Sequence, residues 1–401
     1  MAKRAAPLAV TPPAARTRAR RAATLAATAP RAAPKAAAAP KAAAAPAKAP
    51  AKAKAKAPDK AKAKAKAPAK AKAKAPAPAK AKAPAKAKAP ATKKTYSCGP
   101  LLGASEPLFS LGGEDAATAL VRCEVVRRPS ARNRSPYVAD VLLADGREAI
   151  CHVPSLDLGG KCGAGATVLV KRAVVKKTGE PVGRDAVNPK YGTPKCEFIC
   201  QLAELPGGGH VGAHPSIGET AALALLTRTA VLGDVWAGDR GAARIAREVV
   251  NPCGVTDMRA DFLVSGGGRD CVLEVKTVVD AADDAGFDGT GDAALFPWGG
   301  GNQRGPQGEK VVSARAIKHV DALAGVATRG TADAAVLFVV ARASPAFSPN
   351  AAACPSFARH LERAEAAGVK VLARRLRWEV AGGVATAYDG GTIPVVHPKL
   401  D

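Results

Sequence analysis

The alternation of apolar and polar positions predicts a series of short strands in the first part of the chain that has a globular composition. Five segments are rich in apolar and β-branched residues and are separated by polar turns: Thr118–Arg128, Tyr137–Ala144, Arg147–Val153, Ala166–Val175 and Lys195–Leu205. Asp145-Gly146, between the second and third segments, is a typical hairpin turn. Five short strands of this kind predict a small, OB-like β-barrel.

The pattern changes after the glycine-rich segment 207–212, which we take as a domain boundary. The following elements are predicted from helical or strand-like spacing: a helix at Ser216–Val231, strands at Arg244–Val250, Met258–Val264 and Cys271–Val278, a helix at Ser313–Thr328, a strand at Ala334–Ala341, a helix at Ser356–Ala367 and a strand at Val369–Arg375. Ala334–Ala341 is wholly apolar, as expected of a buried central strand. The order α-β-β-β-α-β indicates a mixed α/β (α+β) domain.

Charge separates the first 95 residues from the rest of the chain. They carry 26 Lys or Arg and one acidic residue, Asp59, whereas the remaining 306 residues have a net charge of only +1. Residues 47–90 repeat Ala-Lys with interspersed Ala-Pro, and large apolar side chains are scarce. Because frequent proline prevents a stable helix and little surface could be buried, we predict a disordered basic arm over residues 1–95. The OB-like domain then spans residues 96–205 and the α/β domain residues 206–401.

The arm favours nucleic acid as a partner. A mobile polycation neutralises phosphates and releases their counterions, which gives salt-sensitive, sequence-independent affinity for DNA or RNA. The arm also resembles the lysine-alanine-proline tails of linker-histone-like proteins, so a chromatin- or nucleoid-compacting protein is one interpretation. Two alternatives stay open: a solubilising linker without a dedicated partner and, for residues 1–34, which are acid-free and nearly lysine-free, an organelle transit peptide.

Composition also bears on the compartment. No stretch is apolar for long enough to span a membrane, and no apolar core of a secretory signal follows the N-terminus. The cysteines number nine, an odd count that indicates free thiols in a reducing, intracellular compartment. We expect the nucleus or an organelle nucleoid in a eukaryote and the cytoplasm in a bacterium, with no membrane partner. The oligomeric state stays open.

Two loops of the predicted barrel are strongly basic. One follows the first strand and contains four arginines and an aromatic residue, and the other follows the fourth strand. Their candidate nucleic-acid-binding residues are Arg127, Arg128, Arg132, Arg134, Tyr137, Lys171, Arg172, Lys176 and Lys177. Barrel loops of this kind bind nucleic-acid backbones and stack bases, although a solvated basic loop is the alternative.

Asp261, Glu274 and Lys276 carry the most informative pattern. Alternate residues of a strand share a face, so Glu274 and Lys276 are neighbours, and Asp261 comes from the preceding strand of a predicted hairpin. Two carboxylates can hold Mg²⁺ or Mn²⁺, and a lysine can position water and stabilise charge at a phosphate. This is the active-site pattern of the PD-(D/E)XK nuclease superfamily. The alternative is a structural ion pair between Glu274 and Lys276.

The globular part resembles the sugar fermentation stimulation protein (SfsA) family over roughly residues 118–376. The stretches that carry the resemblance are Tyr137–Arg147, His152–Ser155, Arg259–Val264, Cys271–Val278, Ala294–Pro297, Arg315–Val320, Ala335–Val340, Phe347–Pro349 and Ala366–Ala373. Their order and approximate spacing match the family. The resemblance implies an OB-like nucleic-acid-binding domain followed by a PD-(D/E)XK nuclease-like domain.

The resemblance also implies roles for individual residues. Asp261 and Glu274 fall on the metal-binding positions, and Lys276 falls on the catalytic lysine. Lys318 and His319 match a Lys-His pair on the next helix, where we assign Lys318 to catalysis and His319, with Arg315, to nucleic-acid binding. Arg315 and Lys318 are three residues apart and therefore share a helix face.

Several positions depart from the family pattern. Residues 155–157 replace an Asn-Thr-Gly element, and His214 and Pro215 stand at the start of the first helix. The usual glutamate of that helix is Ala224, with Glu219 as the nearest acidic residue. The expected function is nevertheless a Mg²⁺-dependent phosphodiesterase acting on DNA, with RNA not excluded. The alternative is a non-cutting DNA-binding transcriptional regulator of the sugar-metabolism type.

Overall fold

The computed structural model describes residues 94–400, except residue 104, residues 156–157, residue 256 and residues 283–292. The basic arm predicted over residues 1–95 lies outside the described residues apart from its last two. Within the described part of the chain, no helix is both long and apolar enough to cross a lipid bilayer.

The first half of the described chain consists of short strands. They are β1 (Thr95–Ser97), β2 (Phe109–Gly112), β3 (Val121–Arg127), β4 (Val138–Leu142), β5 (Glu148–His152), β6 (Thr167–Arg172), β7 (Phe198–Glu204) and β8 (His210–Gly212). The strands β3 to β7 match the five that the sequence predicts, and the observed bounds fall within a few residues of the predicted ones.

These five strands close into a barrel. The strand β5 pairs with β4 on one side and with β7 on the other, while β3 joins β4 to β6 and β6 joins β7. Val125, Val141, Cys151 and Phe198 fill the interior, each at most 1% exposed. The predicted small barrel is therefore confirmed as a closed five-stranded one, and β8 extends it along β7.

The second half of the chain contains both helices and strands. They are α1 (Ser216–Arg228), α2 (Val231–Val235), β9 (Arg244–Val250), β10 (Arg259–Ser265), β11 (Cys271–Val278), β12 (Asp280–Ala281), β13 (Ala294–Phe296), β14 (Gln303–Arg304), β15 (Lys310–Val311), α3 (Ala314–Arg329), β16 (Asp333–Val340), β17 (Phe347–Pro349), α4 (Pro355–Ala366), β18 (Lys370–Ala381) and β19 (Val384–Ile393). A mixed α+β class is thus confirmed.

An eight-stranded sheet organises this half in the order β1-β9-β10-β11-β16-β18-β19-β2. The strands β9, β10 and β11 are antiparallel neighbours, whereas β11, β16 and β18 run parallel. The strands β1 and β2 lie at the start of the range predicted for the barrel domain, but they pair with β9 and β19 at the two edges of this sheet. Their side chains lengthen the apolar surface of the sheet, which explains the pairing.

Helices cover both faces of the sheet. Alternate residues of β16 point to opposite sides, so Val336 and Phe338 pack with α3 and α4, while Leu337 packs with α1. Because both faces are covered, β16 is apolar along nearly its whole length, as the sequence predicted.

Gly218 allows α1 to lie directly against β11. A Cβ atom at this position would overlap the Thr277 hydroxyl oxygen and lie 2.9 Å from the Thr277 Cβ. We therefore expect Gly218→Ala to lower the free energy of unfolding by about 1–3 kcal/mol, measured by urea denaturation. Gly233→Ala is the matched control, because nothing lies within 4 Å of a Cβ built there. Equal stability of the two variants would contradict this close approach.

Candidate active site

The hairpin of β10 and β11 brings two acidic residues and a lysine together. Phe262 pairs with Leu273 in this hairpin, a register that carries Asp261 to the position opposite Glu274. The turn between the strands contains Gly266 and Gly267, both with positive φ, which suits the tight reversal. Lys276 follows two residues after Glu274 on the same face, and its ammonium group is hydrogen-bonded to Glu274 Oε1.

Glu274 is the most buried member of this cluster, with 2% of its surface exposed. Its Oε1 atom accepts hydrogen bonds from Lys276 Nζ and His319 Nδ1. Burial raises the pKa of Glu274, but the hydrogen bonds and charges of His319 and Lys276 outweigh that effect and hold the pKa below its ordinary value. The carboxylate is therefore ionised, and its Oε2 atom is buried without a hydrogen-bond partner among the described residues.

The pKa of Asp261 is shifted in the opposite direction to that of Glu274. Its Oδ2 atom accepts a hydrogen bond of 2.7 Å from the backbone N–H of Val275. Burial, together with the negative charge of Glu274, nevertheless raises the pKa of Asp261 to about 6. Two neighbouring carboxylates with divergent pKa values are a common property of active sites.

The raised pKa of Asp261 predicts how stability depends on pH. The folded protein holds this proton more tightly than the unfolded chain, so the stabilisation is complete below about pH 4 and is lost as the pH rises through about 6. Relative to Asp261→Asn, the wild type should lose roughly 3 kcal/mol of unfolding free energy between about pH 4 and pH 7. Urea denaturation of both proteins in the presence of a chelator measures this difference. A difference that does not change with pH would contradict the burial of the Asp261 charge.

The helix α3 supplies the next side chains of the cluster. Its first turn is capped by the Ser313 hydroxyl, which accepts a hydrogen bond of 3.2 Å from Ala316 N. Arg315 Nε lies 3.4 Å from His319 Nε2, so His319 bridges the Arg315 guanidinium and the Glu274 carboxylate. The sequence placed His319 with the nucleic-acid-binding residues; in the structure its side chain is 8% exposed and is hydrogen-bonded to Glu274.

Lys318 lies away from this cluster. It is exposed on α3, on the same side as Arg315, as their spacing of three residues predicts. Its ammonium group makes no hydrogen bond or ion pair with the described residues, so the structure does not bring it to Glu274, although the sequence grouped it with the catalytic residues. The reason is the helical repeat, since the residue one position further along α3 is the one that faces β11.

Two further acidic residues, Glu248 and Glu219, lie outside the cluster. Glu248 is exposed and pairs with Arg259 at 2.5 Å. Glu219, in the first turn of α1, pairs with Arg247 at 2.5 Å, although its charge contributes to the raised pKa of Asp261. Ala224, at the family's glutamate position, is buried in the core beneath α1.

The donors of the cluster fit a hard divalent cation. Glu274 Oε2 is a buried anionic oxygen without a donor, and the mutual repulsion of Glu274 and Asp261 would be relieved by a positive charge. No group of three or more His, Cys, Asp or Glu side chains in the described part of the chain is arranged to hold a metal ion. Asp261 and Glu274 offer two carboxylates, and a pair of carboxylates can be enough for Mg²⁺ because this ion usually keeps several waters.

The first basic loop of the barrel is organised by a buried aspartate. Asp140, 2% exposed, pairs with Arg127 at 2.9 Å and accepts hydrogen bonds from the Ser130 hydroxyl and from Ala131 N. Arg128 donates to the carbonyl oxygens of Pro136 at 2.8 Å and Ser155 at 2.5 Å. Arg127 and Arg128 therefore stabilise the conformation of the loop through contacts with other residues of the barrel domain.

The remaining candidate residues of the barrel are more accessible. Arg132 donates to the Arg184 carbonyl oxygen at 2.9 Å, and Arg172 lies over the Phe198 ring at 5.5 Å from its centroid. Five further candidates of the barrel are also exposed, on the two loops and at the end of β6: Arg134, Tyr137, Lys171, Lys176 and Lys177.

The sequence interpretation missed one aromatic residue. Tyr191 is 66% exposed on the long excursion between β6 and β7, and Lys190 Nζ lies 4.9 Å from the centroid of its ring. The excursion is held by the bridges Val174–Pro181 and Val187–Pro194. The turn residues Asn188, Pro189 and Gly192 that flank Tyr191 could have indicated an exposed aromatic residue at a loop tip.

A family model and two curated proteins match this chain. The model of the sugar fermentation stimulation protein RE domain matches residues 310–382. The sugar fermentation stimulation protein homolog of Alkalilimnicola ehrlichii is 31% identical over 214 residues, which cover 52% of this chain and 71% of that protein. The homolog of Shewanella putrefaciens is 30% identical over 242 residues, which cover 60% of this chain and 85% of that protein.

A solved structure shares the fold. Pyrococcus furiosus SfsA in complex with Ca²⁺ superposes with a TM-score of 0.52 and 19% sequence identity. The match covers 73% of this chain and 100% of that chain. At this identity, the likeness shows a common fold for the barrel and the large sheet together.

Proposed function

Because this chain belongs to the sugar fermentation stimulation protein (SfsA) family, we propose that it binds DNA and cleaves phosphodiester bonds with a divalent cation. The observation that carries the proposal is the convergence of Asp261, Glu274 and Lys276 on one buried hairpin. Ionised side chains are costly to bury, so their grouping here favours chemistry over a structural role.

The arrangement of elements supports a PD-(D/E)XK-like assignment for the second half of the chain. The helix α1 precedes the antiparallel strands β9, β10 and β11, and α3 then leads into β16, which lies parallel to β11. This is the α-β-β-β-α-β order of that superfamily's core. The two acids and the lysine lie on its second and third strands.

In this proposal, Asp261 and Glu274 hold Mg²⁺ or Mn²⁺. Such a cation, when bound, polarises a phosphodiester and lowers the pKa of water. The complex of Pyrococcus furiosus SfsA with Ca²⁺ supports a divalent cation in a protein of the same fold.

The chain's own residues supply the remaining functions. Lys276 keeps its ammonium group beside Glu274 and orients an attacking water while stabilising negative charge on the phosphate. His319 fixes the orientation of the Glu274 carboxylate through Nδ1. Arg315 and Lys318, on the exposed side of α3, attract the phosphates that flank the scissile bond.

The basic surface of the barrel provides the proposed binding site for the polymer. Arg134, Lys171, Lys176 and Lys177 supply positive charge, and Tyr137 and Tyr191 supply exposed aromatic rings. Basic grooves combined with stacking platforms are typical of proteins that bind single strands. The acid-poor arm over residues 1–95 adds affinity that falls with salt.

Tyr191 provides a specific test of this surface. We expect Tyr191→Ala to weaken binding of a single-stranded oligonucleotide by about 1–3 kcal/mol, the contribution of one stacked base. Fluorescence anisotropy at fixed salt measures the affinity. Val187→Ala is the control, because Val187 is 52% exposed on the same excursion but has no ring to stack. Equal affinities of both variants and the wild type would remove Tyr191 from the binding surface.

The proposed activity is tested by a cleavage assay on the whole chain. Single- and double-stranded DNA and RNA are each incubated with the protein and Mg²⁺, Mn²⁺ or a chelator. We expect shortening of at least one polymer, only with a divalent cation. Binding without shortening under every condition would contradict the nuclease assignment.

The non-cutting regulator remains the second candidate. The observation that favours it is that Glu274 Oε1 already accepts hydrogen bonds from Lys276 and His319, an arrangement that is stable without a metal.

Deletion of residues 1–93 distinguishes a DNA-compacting protein from the nuclease and from the non-cutting regulator. Compaction of long DNA should vanish with the arm, whereas cleavage of short substrates at low salt should survive.

A further inference from the structure

The interior of the barrel contains a pair of neighbouring thiols. Cys162, in the loop between β5 and β6, lies with its Sγ atom 3.9 Å from Sγ of Cys200 on β7. Both side chains are buried, at 1% and 0% exposure. A disulfide requires a sulfur separation of about 2 Å, so the two residues need only a small local movement to form one.

The loop that carries Cys162 is built to allow such a movement. Gly160, Gly163 and Gly165 surround it within residues 160–165, and a Cβ at Gly160 or Gly165 would meet nothing within 4 Å. Cys200 is fixed by its strand pairing with Val170. Cys162 is therefore the member of the pair whose backbone can shift without breaking a strand pairing.

Cys162 also borders a cavity. The cavity has a volume of about 300 Å³ and is lined by Arg128, Pro136, Leu158 and Cys162, among others. Its size accommodates a small peroxide together with water. The Arg128 guanidinium places a positive charge at the wall that Cys162 shares.

The electrostatic environment distinguishes Cys162 from the other thiols of the barrel. The hydrogen bond with the Cys200 thiol, together with the positive charges of Arg128 and Lys161, lowers the pKa of Cys162 despite its burial. The pKa of Cys200 is raised by the same hydrogen bond, and burial raises the pKa of Cys123 to about 12. Because Cys162 also lines the cavity, whereas Cys200 does not, Cys162 is the thiol of the pair that an incoming peroxide reaches first.

We propose that Cys162 and Cys200 are an oxidation site for hydrogen peroxide, with Cys162 as the attacking thiol and Cys200 as the resolving thiol. Cys162 loses its proton to water, and the thiolate attacks one peroxide oxygen. The O–O bond breaks, the leaving hydroxide takes up a proton to become water, and Cys162 becomes a sulfenic acid. Cys200 then attacks that sulfur, the S–S bond forms, and the sulfenic hydroxyl leaves as water with the Cys200 proton. Two thiols are oxidised and one peroxide is reduced to two waters.

The test uses the whole folded chain and hydrogen peroxide. After treatment, two of the nine thiols should no longer react with an alkylating agent, and the intact mass should fall by about 2 Da. Trypsin should release a linked peptide that starts at Cys162, because Lys161 precedes it. Cleavage after Phe198 then separates Cys196 from Cys200 and identifies the partner.

Three variants complete the experiment. Cys162→Ser should prevent the loss of both thiols, and Cys200→Ser should leave a sulfenic acid on Cys162 that dimedone traps. Cys354→Ser, which alters a buried thiol at the N-terminus of α4, is the matched control and should oxidise like the wild type. Linkage of Cys200 to Cys151, or no linked peptide from the folded wild type, would overturn the proposal even where a variant fails to fold.

Discussion

Glu274→Gln should lose metal-dependent cleavage while keeping its affinity for DNA. The substitution preserves size and one oxygen acceptor but removes the negative charge that, in the proposed mechanism, holds the cation and orients Lys276. Loss of one such electrostatic group typically lowers turnover by roughly 10²–10³-fold. Single-turnover cleavage of a labelled oligonucleotide measures the rate, and anisotropy of the same oligonucleotide measures binding.

The control for Glu274→Gln is Glu248→Gln. Glu248 lies on β9, which β10 separates from the strand of Glu274, and it is exposed and pairs only with Arg259 among the described residues. This variant should cleave at the wild-type rate. Because Glu274→Gln also leaves Lys276 without its anionic partner, thermal unfolding must show that the variant is still folded. A folded Glu274→Gln protein with unchanged turnover would contradict its role.

Phe338→Ala should be the most destabilising single substitution considered for this chain. Phe338 is completely buried on β16, beside Lys276 of β11, and stacks on Phe347 with ring centroids 4.1 Å apart. Phe296 and Phe357 pack against it at centroid distances of 5.8 and 6.5 Å. Truncation of such a residue removes buried area and leaves a cavity, which costs about 3–5 kcal/mol.

Urea denaturation gives the unfolding free energy of Phe338→Ala. Phe109→Ala is the comparison, since Phe109 is half-buried on the edge strand β2 and contacts Trp378 with centroids 5.9 Å apart. It should lose less than half as much stability. An equal loss in both variants would indicate that the aromatic cluster around Phe338 is not the centre of the core.

The local pattern of the sequence was sufficient to predict most elements. The strands Arg244–Val250 and Cys271–Val278 have the predicted bounds, because β-branched and apolar residues alternate or run together between clear turns. The hairpin of β10 and β11 is equally local, so the convergence of Asp261 with Glu274 could be expected from the strand period alone.

Elements stabilised by distant contacts could not be predicted in the same way. The strand β18 continues past the predicted end at Arg375, and β19 was not expected at all. Both are charged or glycine-containing, and they are held by pairing along their length and by the bond from Arg374 Nε to Asp389 Oδ1, at 2.8 Å. Ion pairs across strands leave no periodic apolar pattern in the sequence.

Contacts in the candidate site that join residues distant in the sequence could not be predicted from local patterns either. The Glu274–His319 hydrogen bond joins residues 45 positions apart and depends on how α3 packs on the sheet. The spacing along α3 alone could not decide whether Lys318 or His319 faces Glu274. The neighbouring thiols of Cys162 and Cys200 likewise depend on closure of the barrel.

In the proposed function Asp261 and Glu274 together bind a divalent cation, and a titration of Mn²⁺ followed by electron paramagnetic resonance tests this binding without knowledge of the substrate. Metal-free whole chain is titrated beside Glu274→Gln and Glu248→Gln at neutral pH. We expect one saturable Mn²⁺ site in the wild type and in Glu248→Gln, and its loss in Glu274→Gln. Equal Mn²⁺ binding by all three proteins, or none by the wild type, would contradict the assignment of these two carboxylates as metal ligands.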